Sequence, residues 1–282
     1  MSHYENYSRT SAAYDRTRQA QGIEFIRRLL SHNPLPLGQQ VLVDAGCGTG
    51  QYSAALIDSV QHIQAVDLNP GMLTVAGNKL QVQIATGNIE LHQGAIDELP
   101  IDDESADAVM VNQVLHHLAD DATAGWPVHQ RVLAEFARVL KPGGIVVINS
   151  CSHDQLEKGF WFYPLIPGAL GRVRQRTADL DTLASMLQKN GFTEVQCEAA
   201  PDIVMQGDAY FDAARIFDPQ WRDGDSIWAL ATPVELEDAL QNARALAERD
   251  ELDDFMQLND ESRRQTGQLS FTWAKKRADR QE

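Results

Sequence analysis

Asp44 stands two residues before Gly46, and Gly48 and Gly50 follow at the same interval in Val41-Leu42-Val43-Asp44-Ala45-Gly46-Cys47-Gly48-Thr49-Gly50. Glycine adopts positive φ without a Cβ clash, so this spacing lets backbone come close to a ligand. The pattern is G-x-G-x-G rather than the G-x-G-x-x-G of dinucleotide sites. A carboxylate beside the glycines would repel a pyrophosphate but receive an ammonium group. The loop therefore suits an amino-acid-bearing nucleoside better than NAD. Asp67 follows Gly50 by 17 residues, close to the roughly 20-residue spacing at which a carboxylate accepts both ribose hydroxyls. Asp97 could accept from an adenine amino group, or cap a helix N-terminus, where Asp is favoured. His116 and His117 are candidate bases.

These residues need a scaffold that delivers them to one end of a sheet. Apolar runs predict strands at Gln40–Asp44, Ile63–Asp67, Ile89–Gln93, Ala106–Asn112, Ile145–Asn149 and Phe192–Cys197, with a last one at Gln268–Trp273. Helical spacing is read at 16–32, 50–59, from Pro70 onward, at 128–140 and at 177–190, with mixed helical signals across 200–265. Lys141-Pro142-Gly143-Gly144 reads as a turn. Strands alternating with helices from 40 to 150 imply a parallel sheet covered on both faces. In such open α/β sheets, ligands bind beyond the carboxyl ends of the strands. Asp44, the glycines, Asp67 and the two histidines all fall there.

Composition narrows the partners. The 282-residue chain carries a net charge of −16, which disfavours a grip on nucleic-acid phosphates or on anionic membrane. Three scattered cysteines, Cys47, Cys151 and Cys197, suggest no disulfide framework and fit a reducing compartment. No apolar run approaches the roughly 18 residues of a membrane span. The polar start of the chain does not read as a signal peptide. A cytoplasmic location, a small-molecule substrate and no metal are expected.

The motifs together resemble the class I S-adenosylmethionine-dependent methyltransferases, over about residues 40–150 with an extension through 268–275. The matching pieces are Val41–Gly50, Ala65-Val66-Asp67-Leu68-Asn69-Pro70-Gly71-Met72-Leu73, Gly94–Pro100, Ala106–Leu118 and Val139-Leu140-Lys141-Pro142-Gly143-Gly144. The small-molecule subgroup typified by ubiquinone and menaquinone methyltransferases is most similar. The resemblance implies a Rossmann-like, doubly wound, seven-stranded sheet, mostly parallel, with the last strand antiparallel and a helical cap. It implies S-adenosyl-L-methionine as cofactor. Gly46, Cys47, Gly48 and Gly50 would line its methionine part, with Asp44 toward the amino group. Asp67 would hold the ribose, Leu68, Met72 and Ile96 would pack on the adenine, and Asp97 would bind its amino group. Asn112 and Val114 would pass near the sulfonium, and Tyr7 and Tyr14 would sit on a closing N-terminal segment. The chain divides on this reading into an N-terminal cap segment (1–39), a cofactor-binding core (40–150) and the rest of the core with inserted cap segments (151–282).

The acceptor side is less determined. Some small-molecule O-methyltransferases of this group use a His after strand four as base, paired with an acid after strand five. Here that position reads Asn149-Ser150, which leaves His116 and His117 without the acid. Cys151 after strand five resembles the nucleophile of RNA cytosine methyltransferases, but the Pro-Cys they carry after strand four is absent. The three cysteines also resemble those of arsenite methyltransferases without aligning well. A cofactor-binding regulator with no turnover is a further reading. The aromatic run Phe160-Trp161-Phe162-Tyr163, with Trp221 and Trp228, either lines an apolar acceptor pocket or packs the cap.

Overall fold

A computed structural model describes residues 19–278. Seven strands form one sheet: β1 (Val41–Ala45), β2 (His62–Asp67), β3 (Ile89–Gln93), β4 (Ala106–Asn112), β5 (Leu140–Ser150), β6 (Phe192–Ala199) and β7 (Ser270–Lys276). Their order is β3-β2-β1-β4-β5-β7-β6, and β7 runs antiparallel to both of its neighbours. From β1 the chain winds outward through β2 and β3, then returns to β4 on the other side of β1. Winding thus reverses between β1 and β4, and a crevice opens beyond their carboxyl ends.

The two-residue period of the strands sorts side chains into two cores. Leu42, Met110, Ile145 and Val147 enter one; Val43, Val109, Val111, Val146 and Ile148 enter the other. Burial on both faces explains why Ala106–Val111 reads as a continuous apolar run rather than an alternating one. On one face, α1 (Ile23–Leu30) packs through Ile26, Leu29 and Leu30, near α2 (Gln51–Leu56). Next in the chain come α3 (Pro70–Lys79) and α4 (Gln81–Ala85). The other face is covered by α5 (Pro127–Val139), through Val132, Leu133, Phe136 and Val139. Asn69 caps α3 by accepting from the amides of Gly71 and Met72, with Pro70 at its first position.

After β5 come α6 (His153–Lys158), α7 (Pro167–Arg176) and α8 (Leu180–Lys189). Between β6 and β7 lie α9 (Pro219–Arg222), α10 (Ile227–Leu230), α11 (Pro233–Ala247), α12 (Leu252–Asp260) and α13 (Arg263–Thr266). Apolar residues of these helices and of the segments joining them, including Trp161, Phe162, Tyr210, Trp221 and Trp228, join the core on the α1 face of the sheet. Phe162 stacks on Trp228 at 5.6 Å, and the Trp161 indole donates to the Tyr210 carbonyl at 3.0 Å. The Tyr210 hydroxyl donates to Asp260, which Arg263 grips through two hydrogen bonds of 2.7 and 2.9 Å. Burial of these polar groups is tolerated because each is paired.

Several boundaries depart from the sequence reading. The first described helix starts only at Ile23, after Gly22 at φ 74. Lys141–Gly144 is no free turn but a bulge within β5. Ala106 pairs with Leu140 and Ala108 with Ile145, so three extra residues are accommodated opposite β4. Pro142 has no amide to offer the ladder and Gly143 takes φ 79. The last strand begins at Ser270, because the Gln268 side chain is taken up by the Met205 amide and the Gly159 carbonyl. The acidic helical stretch breaks at Asp250, at φ 55, into α11 and α12. Tyr14 and Tyr7 lie outside the described residues, and no described helix is long and apolar enough to cross a membrane.

Candidate functional site

Two cavities adjoin at the carboxyl ends of β1, β4 and β5. The outer one, about 210 Å³, is bordered by the glycine loop, the end of β2 and the loop after β4. It gathers Gly46, Cys47, Gly48, Asp67, Leu68, Met72, Ile96, Asp97, Asn112, Val114 and His117, all singled out from the sequence. Gly46, at φ 78, leaves only 2.7 Å between a hypothetical Cβ and the Val114 side chain, so any larger residue would push on that wall. Gly48 is the opposite case: a Cβ there would meet nothing within 4 Å and would stand in open space beside the cavity.

Asp67 fixes the loop as well as facing the cavity. One carboxylate oxygen accepts the Gly48 amide at 2.8 Å, and the other accepts the Asn69 amide at 2.8 Å. Each oxygen retains lone-pair capacity for a ligand hydroxyl. Burial pushes its pKa up, against the pull of these amides. Asn112 also lines the cavity, and neither end of its buried side-chain amide has a hydrogen-bond partner. An orphaned amide at a cavity wall implies a polar ligand group. Asp97 sits in a turn and not at a helix start, so the capping role is not what it performs. It pairs with Arg131 at 3.1 Å, from α5.

Three predicted residues lie away from this cavity. Asp44, 1% exposed, is turned behind the loop and accepts the Ser53 hydroxyl at 2.7 Å. Burial pushes its pKa from 3.8 to about 7, with Asp67 adding to the rise and Ser53 opposing it. Gly50, at φ 74, begins α2, and a Cβ on it would point at Leu80 and Ala76 of the α3–α4 corner. His116 faces the inner cavity. The reason for that last split is the tight 3₁₀ turn Leu115–His117, which sends consecutive side chains in different directions. The two imidazoles remain in contact, centroids 4.0 Å apart.

The inner chamber is smaller, about 40 Å³. Gln113 and Met205 line both cavities. Gln113 holds φ 54, a costly conformation for a residue with a Cβ. It is held there by its amide donating to the Asn149 carbonyl at 2.9 Å and by its side chain donating to Asn149 Oδ1 at 3.0 Å. Asn149 in turn donates to the Tyr52 hydroxyl at 3.3 Å. Thus Asn149, which stands where an acid was sought, anchors the partition between the cavities. From the aromatic run, Phe160 and Tyr163 line the chamber, stacked at 4.3 Å, while Trp161 and Phe162 are wholly core. The run therefore divides between a chamber wall and the core.

The cysteines do not form a common centre. Burial and the nearby Asp44 and Asp67 raise the Cys47 thiol well above its usual range, so it stays protonated. Cys151 lines the inner chamber, and Cys197 is exposed on edge strand β6. Four strand spacings separate β1 from β6, about 19 Å.

Sequence reasoning missed Gln113, Asp120, His129, Ser150 and Met205 as possible site residues. Most are spread over segments without a motif. The pair Asp120 and His129 carried only the weak signal of a carboxylate and an imidazole nine residues apart.

An open α/β sheet with a glycine loop at its winding reversal, an acidic residue closing β2 and a polar-lined cleft defines a nucleoside-binding enzyme fold. Residues 43–148 match the family model described as a methyltransferase domain. The chain is 28% identical over 211 residues to a demethylmenaquinone methyltransferase of Clavibacter sepedonicus, covering 67% of this chain and 82% of that one. It is 31% identical over 156 residues to a malonyl-[acyl-carrier protein] O-methyltransferase of Yersinia pestis, spanning 54% of this chain and only 51% of that relative. A solved structure from Anabaena variabilis, named for an antibiotic biosynthesis pathway, shares the fold with TM-score 0.71 at 22% identity, covering 92% of this chain and 98% of that one. The chain carries a class I S-adenosylmethionine-dependent methyltransferase domain, and S-adenosyl-L-methionine is its cofactor.

Proposed function

We propose that the chain transfers the cofactor's methyl group to a small-molecule acceptor by in-line displacement, with the outer cavity as the cofactor site. The observation that carries this reading is the convergence of Gly48, Asp67, Asn112 and Asp97 on one cleft at the β1–β4 reversal. The open space over Gly48 and the orphaned Asn112 amide fit a ligand that is polar and pressed against backbone. Bound there, the cofactor supplies a sulfonium methyl already activated toward a nucleophile.

Asp67 accepts from the ribose hydroxyls while it keeps the loop in register. Leu68, Met72 and Ile96 present an apolar wall to the adenine, and Asp97 accepts from its amino group. Gly46 and Gly48 admit the methionine part. Asn112 and Val114 border the reacting end, where the buried surroundings exclude water and hold the partners in line. Asp44 acts from behind, through Ser53 and the strand end, rather than on the amino group itself. His117, on the outer wall, and His116, on the inner one, are the candidates to receive a proton if the acceptor must lose one. The segments after β5 and between β6 and β7 serve as the cap over this end of the sheet. The acidic charge and three scattered cysteines, which suggest no disulfide framework, support a cytoplasmic enzyme that acts on small molecules rather than nucleic acid.

Asp67→Ala tests the assignment by calorimetry with S-adenosylhomocysteine. Losing the ribose contact is expected to weaken binding at least tenfold, about 1.4 kcal/mol. Unchanged affinity would remove Asp67 from the site and the outer cavity with it.

A further inference from the structure

The segment after β3 carries Ile96 and Asp97 to the outer cavity with no regular structure beyond a single bridge between Ala95 and Glu98. It is anchored at both ends. At the first, the Gly94 amide donates to the Asp67 carbonyl at 3.1 Å, and Pro100 folds back so closely that a Cβ on Gly94 would come within 2.7 Å of its ring. At the second, α5 holds the backbone. Arg131, Glu135 and Arg138 are spaced by four and three residues, which puts them on one stripe of that helix. Glu135 Oε2 accepts the Leu99 amide at 2.9 Å. Arg138 donates to the carbonyls of Leu99 and Ile101 at 3.0 and 2.8 Å. Both backbone polar groups of Leu99 are thus held by side chains of α5.

Arg138 also grips Glu135 through bonds of 2.9 and 2.7 Å and reaches Asp103 at 2.6 Å, so all five of its N–H donors are engaged. The same pairing holds the Glu135 carboxyl below its usual range and keeps it an acceptor. Asp97 stands two residues before Leu99, between the two anchors. Both Arg131 bonds, at 3.3 and 3.1 Å, go to its Oδ2, which leaves Oδ1 for a ligand donor. A carboxylate oxygen only accepts. A purine 6-amino group offers it a hydrogen, whereas a 6-oxo group offers it a lone pair. A carboxylate free to move would escape that repulsion by swinging to the N1–H that a 6-oxo purine carries. Rejection of the 6-oxo base therefore requires a carboxylate that is held in place.

We propose that Glu135 and Arg138 are positioning residues for base selectivity: by pinning the backbone of Leu99 they hold Asp97 where it accepts from a purine 6-amino group and rejects a 6-oxo group. This rests on the outer cavity being the cofactor site, with Asp97 at the adenine. Arg138 needs its planar fork for the task. A lysine ammonium is a compact point charge and cannot span two carbonyls and a carboxylate at once.

The test compares S-adenosylhomocysteine with S-inosylhomocysteine, its 6-oxo counterpart, by calorimetry. The wild-type protein is expected to bind the adenine compound about tenfold more tightly, the worth of one hydrogen bond made or opposed. Arg138→Lys and Glu135→Ala should each bring that ratio to within about twofold of unity. A role confined to stability would lower both affinities together, or neither, and leave the ratio as it was. Wild-type protein supplies a readout that needs no variant to fold. Coupling between sites is reciprocal, so the Leu99 amide should be about tenfold better protected from hydrogen exchange under saturating S-adenosylhomocysteine than under saturating S-inosylhomocysteine. A wild-type ratio near unity, a ratio that survives either substitution, or equal protection of Leu99 by the two ligands overturns the proposal. Binding of neither ligand overturns the cofactor reading. Tight S-adenosylhomocysteine binding with a ratio indifferent to Arg138 and Glu135 overturns this assignment alone.

Discussion

The outer and inner cavities touch, yet they are built in different ways. The outer one comes mainly from three short contiguous stretches, the glycine loop, the end of β2 and the segment after β3, plus the start of the β4 loop, with Gln19, Gln21, Met205 and Leu269 completing its border. Each stretch is delivered by the strand it directly follows. The inner one is assembled from the β4 loop, the start of α5, the end of β5, the aromatic run, the α7–α8 corner and residues 225–227. Those pieces reach one another only because the cap folds onto the α1 face of the sheet. Short-range construction suits a site for a fixed ligand, and long-range construction suits one whose ligand varies between relatives, since cap segments change without disturbing the strands.

If that contrast holds, damage to one region should leave the other largely intact. The largest effect is expected from Trp161→Ala, which empties a fully buried cap position and removes the donor to the Tyr210 carbonyl. It should cost about 4 kcal/mol in urea unfolding. Affinity for S-adenosylhomocysteine should stay within about threefold in the folded fraction, 0.6 kcal/mol or so; a loss of tenfold or more would mean the cap also builds the outer site. Gly46→Ala is the converse. With φ at 78 and a Cβ 2.7 Å from Val114, it should destabilise by about 2 kcal/mol and weaken the homocysteine nucleoside at least tenfold. Unaltered binding would show that the Val114 wall does not matter to the ligand.

Asp44 offers a pH-dependent test of the same loop. Its folded pKa is raised, so the folded state binds the proton more tightly than the unfolded chain. The contribution is full below pH 3.8 and is lost as pH rises to about 7. Asp44→Asn keeps an acceptor for Ser53 and removes the ionisation. The variant should gain stability relative to wild type at pH 8 and lose that advantage at pH 4. A constant difference across that range would contradict a buried, proton-retaining Asp44. The smallest effect is expected from Arg131→Ala. Its partner is Asp97, but Arg131 is 58% exposed, so thermal unfolding should register less than about 0.5 kcal/mol. A larger change would place this pair inside the energetic frame of the outer cavity.

The parts legible in the sequence were those whose physics is local. Strands β3 and β4 match their apolar runs at both ends, and Pro70, at the first helical position, announced α3. Gly46 and Gly48 were legible as site residues because a positive φ beside an open cavity leaves few alternatives to glycine. Asp44 and Gly50 share that motif but not that placement. Strand alternation turned Asp44 toward Ser53, and the helix start turned Gly50 toward Leu80. His116 and His117 were identified together, and only the 3₁₀ turn between them separates their cavities.

Residue type and spacing by themselves determined the sheet, the glycine loop, the acidic end of β2 and hence the cofactor class. Each depends on bonds between near neighbours or on a strand's period of two. Tertiary structure alone decided the partition at Gln113 and Asn149, the division of the aromatic run between core and chamber, and the placing of His129 and Ser150 on one chamber. Those arrangements join groups from separate segments, through hydrogen bonds and burial that exist only once the cap has closed on the sheet.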